Sequence, residues 1–463
     1  MRLFITISFV ASTALFGCSS DDSTTAAETS VASDVPETSD VSVDTAAVDV
    51  ADTALPETPE WPVCTDTRPP IVMAHGLLAS GDTWVHHGVR FMENGYCRSQ
   101  LHAFDWDTLG GVEIALPLLD ALIEQVLTDT GAEKVDLFGH SLGGSLGVAY
   151  LSDPARAAKI RRYAHIGSGI VDAPPSDAVP MLNLWSAADT IIMEKGDVPG
   201  AENLMLTTED HYAVATSDAS FETIYPFLND GALPTGSTSI DGPTLVEGRV
   251  LALALNTPTA GSTAAIWSLK AGTAERAGEP TEFAIGDDGR FGPTTIESDL
   301  TYEFHVTGPT ADDRPVHYYR QSSGKPNPFI YLRTLPDPSA GIVGGIFGGI
   351  PFADDGVVLV VFMESRSLVA NVDSLTVNGV ELATDDLAAP EDTTIALFIY
   401  DANANAMSDG TPVALFESFP FIAGVDMHIP ADGTPIEVTL NGQTLYLNSW
   451  AAGTDGAALA VFD

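Results

Sequence analysis

The sequence predicts an α/β domain on a mostly parallel sheet, followed by all-β C-terminal domains. Three observations predict it. From Trp61 to about residue 235, short apolar runs alternate with helical patterns, which implies right-handed crossovers and a sheet covered on both faces. From about Thr238 onward the pattern is all-β, with short runs separated by turn chemistry such as Asp287-Asp288-Gly289. Within the first stretch, Gly139-His140-Ser141-Leu142-Gly143-Gly144 stands between a strand pattern and a helix pattern.

A length of 463 residues suggests two to four domains, and 45% hydrophobic residues suffice to bury real cores. The charge is lopsided, with 64 acidic against 19 basic residues and a formal net charge of −45. A polyphosphate partner needs a basic stripe, so a generic nucleic-acid binder is excluded. Electrostatic docking on anionic lipid is disfavoured for the same reason. The balance favours a neutral or apolar substrate.

The N-terminus reads as an address. Arg2 precedes the apolar run Leu3 to Phe16, which ends in Leu15-Phe16-Gly17-Cys18. Such a run is too short to span a bilayer comfortably and suits a secretory signal over residues 1–17. The ending resembles the lipobox of bacterial lipoproteins, which implies acylation of Cys18 and a membrane anchor; an ordinary signal peptide with a chance Cys is the alternative. The remaining cysteines, Cys64 and Cys97, are an even pair in an oxidising compartment, expected to be bridged rather than left as two buried thiols. Residues 18–60 form an acidic tether, which from Ser19 to Glu60 has no aromatic residue, Lys or Arg. It buries too little apolar surface to offset its chain entropy, and its flexible-chain reach is roughly 35 Å.

The α/β stretch, residues 61–235, holds six candidate strands: Ile71–Ala74, Gln100–Phe104, Val135–Phe138, Arg162–Ile166, Met181–Trp185 and Asn203–Leu206. Between the second and third, Val112, Ala115, Leu116, Leu119, Ile123, Val126 and Leu127 recur at helical spacing. Sites in such sheets form at the carboxyl ends of strands. The glycines flanking Ser141 let a strand turn sharply into a helix, which pushes the hydroxyl out at the top of the sheet.

A serine hydroxyl needs a base, and two histidines follow within this stretch. His165 lies inside a strand pattern and reads as core. His211 follows the last strand, precedes the helical stretch Ala219–Leu228, and reads as the base. Asp189 and Asp172 both follow strands in the right order, and chemistry alone does not separate them. An oxyanion needs two N–H donors: Leu142 at the start of the helix, and Leu77 in the loop Ala74-His75-Gly76-Leu77.

Residues 69–230 resemble the small α/β-hydrolase lipases, especially the minimal bacterial lipases of the Bacillus lipase A type. The matching pieces are Val72-Met73-Ala74-His75-Gly76, Val135 through Gly144, and Ser186-Ala187-Ala188-Asp189-Thr190-Ile191-Ile192-Met193 with His211 downstream. The third piece carries that family's acid, so the resemblance favours Asp189 over Asp172. It implies a Ser141–His211–Asp189 triad, hydrolysis of carboxylic esters, no metal or organic cofactor, and an open site without a long cap.

Beyond it, residues 238–310 resemble a transthyretin-like β-sandwich and residues 313–463 form a further β-domain, with Asn441-Gly442 a strong hairpin signal. The order resembles archaeal lipases with a C-terminal β-domain. Asp401-Ala402-Asn403-Ala404-Asn405 has alternating oxygen ligands but lacks the Gly and Glu of a calcium loop, since Ala406 and Pro412 stand there. A polar turn is the main reading and structural calcium the minor one. The uncharged run Ala340–Phe352 reads as a buried connection, or alternatively as an apolar flap against the hydrolase near Leu77.

The function expected is that of a serine carboxylesterase or triacylglycerol lipase, lipid-anchored outside the cytoplasm, on neutral apolar esters. The alternatives are a polyester depolymerase with the same triad, and a surface-binding protein on an inactive hydrolase scaffold.

Overall fold

Six parallel strands make the first sheet, in the order β2-β1-β3-β4-β5-β6. They are β1 (Ile71–Ala74), β2 (Leu101–Phe104), β3 (Val135–His140), β4 (Ile160–Ile166), β5 (Met181–Ser186) and β6 (Glu202–Leu206), each overlapping its expected run. The structure is a computed structural model and describes residues 59–236, 242–336, 341–417, 419 and 421–463. The expected signal 1–17, Cys18 and the tether up to Thr58 lie outside the described residues. Among the described residues, no helix is long and apolar enough to cross a membrane.

Strand β1 shows why its run is wholly apolar. Ile71 and Met73 face one core, shared with α1 (Val85–Glu93) and with Phe221, Ile224 and Leu228 of the helix Asp218–Leu228. Val72 and Ala74 face the other, shared with α2 (Val112–Thr130) and α3 (Leu142–Leu151). A parallel strand buried on both faces favours apolar residues throughout, and a polar one is kept only with a partner, as Asp136 of β3 is with Arg161. The α2 stripe turns Leu116, Leu119, Ile123 and Val126 inward, and the helix ends on Gly131 in the left-handed region. Cys64 and Cys97 are disulfide-bonded, with Cα atoms 5.4 Å apart, and Trp61 donates its indole N–H to Glu247.

The C-terminal half is mostly β. Its strands are β7 (Thr244–Ala252), β8 (Thr263–Leu269), β9 (Arg276–Ala284), β10 (Arg290–Ile296), β11 (Thr301–Thr307), β12 (Val316–Gln321), β13 (Asn327–Thr334) and β14 (Val358–Met363). These are followed by β15 (Leu375–Val377), β16 (Val380–Glu381), β17 (Ala396–Tyr400), β18 (Ile422–Asp426), β19 (Ile436–Leu440), β20 (Gln443–Leu447) and β21 (Ala457–Phe462). An eight-stranded sheet, β18-β17-β14-β21-β12-β11-β8-β9, is the central layer. A three-stranded sheet, β10-β7-β13, and a four-stranded sheet, β16-β15-β19-β20, lie against opposite faces of it. The alternation is visible in two neighbours of β12. Tyr318 packs with Val250, Phe291 and Ile330, whereas Tyr319 packs on the other side with Leu359, Val361 and Ala460.

This arrangement corrects the boundary expected between 310 and 313. Strands β11 and β12 pair across it, and β13 pairs in parallel with β7, so the first β block runs on through β13. The sheet is continuous because Val316 and Tyr318 are needed to cover the same core as Phe304 and Val306. The run Ala340–Phe352, of which residue 340 lies outside the described residues, is the buried connection of its main reading and not a flap at the site. Gly341–Gly348 is a helix, and Phe347 meets Phe398 edge-on at 5.8 Å within a cluster that includes Ile350, Val358 and Phe416. It lies against the central sheet, as a buried connection does. The Asn441-Gly442 hairpin forms as expected, with both residues at positive φ joining β19 to β20. At the polar turn, Asp401 accepts the N–H groups of Asn405 and Ala406.

Strand β13 joins the halves. Ile330 and Leu332 belong to the β core, while Phe329 and Tyr331 enter the core beneath the parallel sheet with Trp84 and Phe91.

Candidate active site

Ser141 follows β3 directly and caps α3 with φ 53° and ψ −120°. A residue with a Cβ reaches this conformation only under strain of about 1–3 kcal/mol. Two glycines make the turn possible. A Cβ on Gly139 would stand 2.4 Å from the Gly143 carbonyl oxygen, and one on Gly143 would stand 2.4 Å from that of Ala74. The backbone therefore crosses itself at contact distance and leaves Ser141 half-exposed above the sheet.

Three loops at the carboxyl ends of other strands converge on this serine. After β6, His211 brings its Nε2 to 3.0 Å from Ser141 Oγ. After β5, Asp189 brings Oδ2 to 2.8 Å from His211 Nδ1. The other carboxylate oxygen of Asp189 accepts the N–H groups of Ile191 and Ile192 at 2.9 and 3.1 Å. Burial pushes the Asp189 carboxyl up, but His211 and those two N–H groups outweigh it and hold it below its ordinary value. Asp172 is exposed, so the structure brings Asp189 and not its rival to the imidazole. His165 is core, bonded to the Tyr163 hydroxyl at 2.9 Å and the Gly169 carbonyl at 3.0 Å.

The third loop follows β1. A Cβ on Gly76 would lie 2.9 Å from Ser141 Cβ, which brings the loop against the serine. Leu77 and Leu142 are both partly exposed beside it, and among the described residues neither backbone N–H is spent on a hydrogen bond. His75 is buried and held neutral mainly by desolvation; its Nδ1–H donates to the Gly76 carbonyl at 2.9 Å. Among the described residues, no group of three or more His, Cys, Asp or Glu side chains is placed to hold a metal ion.

Several residues at this site carry no sequence signal. His140 donates from Nε2 to the His211 carbonyl at 2.8 Å; burial, followed by the neighbouring His211, pushes its pKa down to about 3, so this neutral ring fixes the backbone beneath the imidazole. The C-terminal half reaches all three loops. Asn256 donates to the Ala79 carbonyl at 2.7 Å and the Trp106 carbonyl at 3.0 Å, and Arg333 pairs with Asp82. Thr190 donates to the Glu391 carbonyl at 2.8 Å. The His211 loop is held by Ser367 on Asp210, by the Tyr212 hydroxyl on the Glu364 carbonyl at 2.7 Å, and by Thr216 on the Ser365 carbonyl at 2.6 Å. Phe421 stacks on the His211 ring, with centroids 5.8 Å apart and planes 18° apart.

Residues 69–191 match the family described as alpha/beta hydrolase fold, and residues 242–335 match the lipase C-terminal domain. A third match, over 362–445, is to a family described only as a C-terminal domain. The two matches thus place an α/β-hydrolase fold ahead of a region similar to lipase C-terminal domains, and the second match spans the sheet that crosses residue 310. Among solved structures it is similar to the mature lipase BlEst2 of Bacillus licheniformis, at 15% identity and a TM-score of 0.29 over 35% of this chain and 92% of that one. It is also similar to the monoacylglycerol lipase of Paleococcus ferrophilus, at 16% and 0.27 over 36% and 97%. A third is the carboxylesterase CesB of Bacillus subtilis, at 14% and 0.26 over 36% and 85%.

Proposed function

We propose that this α/β hydrolase is a serine ester hydrolase acting on neutral, apolar acyl esters, lipid-anchored through Cys18 outside the cytoplasm. The observation that carries the reading is the relay from Asp189 through His211 to Ser141, at 2.8 and 3.0 Å, above a serine with a free side toward solvent. Ser141 Oγ attacks the ester carbonyl while His211 Nε2 takes its proton. The C–O bond to the alcohol then breaks, and the alkoxide recovers that proton from His211. Asp189 holds the imidazole with Nδ1–H directed at its carboxylate and stabilises the imidazolium. The Leu77 and Leu142 N–H groups receive the oxyanion, and water releases the acid by the same steps.

Fluorophosphonate labelling tests it. The protein should take the label on Ser141 and hydrolyse p-nitrophenyl esters, and Ser141→Ala should lose both, with rates down about 10⁴-fold or more. Absence of labelling in folded protein would favour a binding module on a spent scaffold. Triglyceride emulsion and polyester film run beside the soluble esters separate lipase from depolymerase. For the anchor, Cys18→Ser should move the protein from the membrane fraction to the soluble one; retention on membranes would refute acylation there.

A further inference from the structure

We infer that Phe421, brought to the reaction centre by the β-rich half, is the wall against which the alcohol portion of the ester lies, so that it selects esters of bulky apolar alcohols. The inference rests on the roles proposed above for Ser141, His211 and Asp189.

Phe421 is not a core residue that happens to touch the site. Its neighbours Phe416 and Ile422 pack into the β-half's own cluster, and Phe421 does not; it stays half-buried. Its backbone has φ +76°, a conformation that an aromatic residue rarely adopts. That backbone is fixed by two bonds, the N–H groups of Ile395 and Ala396 both donating to the Phe421 carbonyl at 2.9 and 3.1 Å. The strained, anchored backbone aims the ring at the imidazole, where its plane lies 18° from that of His211.

The chemistry decides which part of the substrate meets that ring. The acyl carbon must be at Ser141 Oγ and the carbonyl oxygen at the Leu77 and Leu142 N–H groups. The leaving oxygen must be within reach of His211 Nε2, because that atom returns the proton. A side chain lying along the imidazole therefore borders the alcohol portion and not the acyl chain. An aromatic face offers dispersion and excludes water but has no partner for hydroxyl groups. It suits an aryl or long alkyl alcohol rather than a polyol.

The test compares wild type, Phe421→Leu and Phe421→Ala on two ester series. One keeps the acyl group as butyrate and varies the alcohol from methyl through hexyl and benzyl to naphthyl; the other keeps naphthol and varies acyl length. Phe421→Ala should lower the naphthyl-to-methyl ratio of kcat/KM about three- to tenfold, with Phe421→Leu between, and leave the acyl-length ranking unchanged. The ratio is the readout, because a disturbed His211 slows every ester alike. An unchanged ratio in folded variant, or a shift in acyl-length ranking instead, would overturn the inference while the ester-hydrolase reading stands. If the alanine variant does not fold, the same ratio in Phe421→Leu decides. Wild-type protein that neither takes fluorophosphonate nor hydrolyses either series would overturn both.

Discussion

The two halves of the molecule close their sheets in different ways. In the parallel sheet, every strand finds its partners between Ile71 and Leu206, and each crossover helix lies on the sheet it connects. In the β-rich half, the central sheet takes strands from Thr263 to Phe462 and is joined in its middle by β21, which pairs in parallel with both β12 and β14. The first half supplies the groups that fit a reaction: Ser141, His211, Asp189 and two free N–H donors. The second supplies almost no chemistry of its own there, yet it touches the loops after β1, β5 and β6 that surround Ser141. Reactive groups and the means of holding them are thus encoded in separate stretches of chain.

The sharpest break in that comparison is chemical. Asp189→Asn should reduce kcat about 10⁴-fold through loss of the oriented tautomer, while Asp172→Asn should stay within about twofold of wild type. Steady-state rates on one soluble ester decide it, and the reverse order would move the acid to Asp172. Next comes the seam between the halves. Arg333→Ala leaves Asp82 buried without its partner, which typically costs about 3–5 kcal/mol. Urea unfolding should show that loss, with the midpoint for hydrolysis falling together with the midpoint for structure. If activity survives unchanged in such a variant, the Arg333–Asp82 pair is not what holds the loop after β1.

A smaller effect separates the halves by pH. Glu303, in the β-rich half, is pushed up by burial. Arg276 and His317 outweigh that and hold it down to about 2, against an ordinary value of 4.5. A depressed carboxyl contributes stability that is fully present above its unfolded value and is lost as pH falls through the folded one. About 3 kcal/mol should therefore disappear between roughly pH 4.5 and 2, and Glu303→Gln should flatten that part of the stability curve. Equal slopes for wild type and variant would refute it.

Legibility in the sequence followed the same division. Ile71–Ala74 is readable because a strand buried on both faces leaves an unbroken apolar run, Val135–Phe138 because Asp136 alone interrupts one, and Ser141 because its glycines are required by close backbone approach. The carboxylate partner of His211 is only half readable: two aspartates follow strands in the right order, and the family resemblance, not chemistry, favours Asp189, the one that the structure sets against His211. The clamps were not readable at all. Ser367 is 157 residues from Asp210, and most of the other contacts end on backbone carbonyls, which any residue type presents. The helix Gly341–Gly348 escaped because a glycine-rich run has poor helix propensity and is held by packing against Phe398. The block boundary failed since a turn between β11 and β12 looks locally like a linker.

The position of β21 has a consequence for the order of events in folding. A chain emerging N-terminus first can complete the parallel sheet once residue 206 is available, whereas the central β-sheet remains two fragments. One fragment ends in the open edge of β12 and the other in that of β14, and β14 is apolar along its whole length. Open apolar edges recruit other chains, and closing so distant a pairing is slow. Residues 457–462 act as a late zipper. Until they insert, the segment that grips the His211 loop stands on an unfinished sheet, so the parallel sheet is structured before His211 is held. The interval is one of exposure to aggregation, and it ends with the last strand.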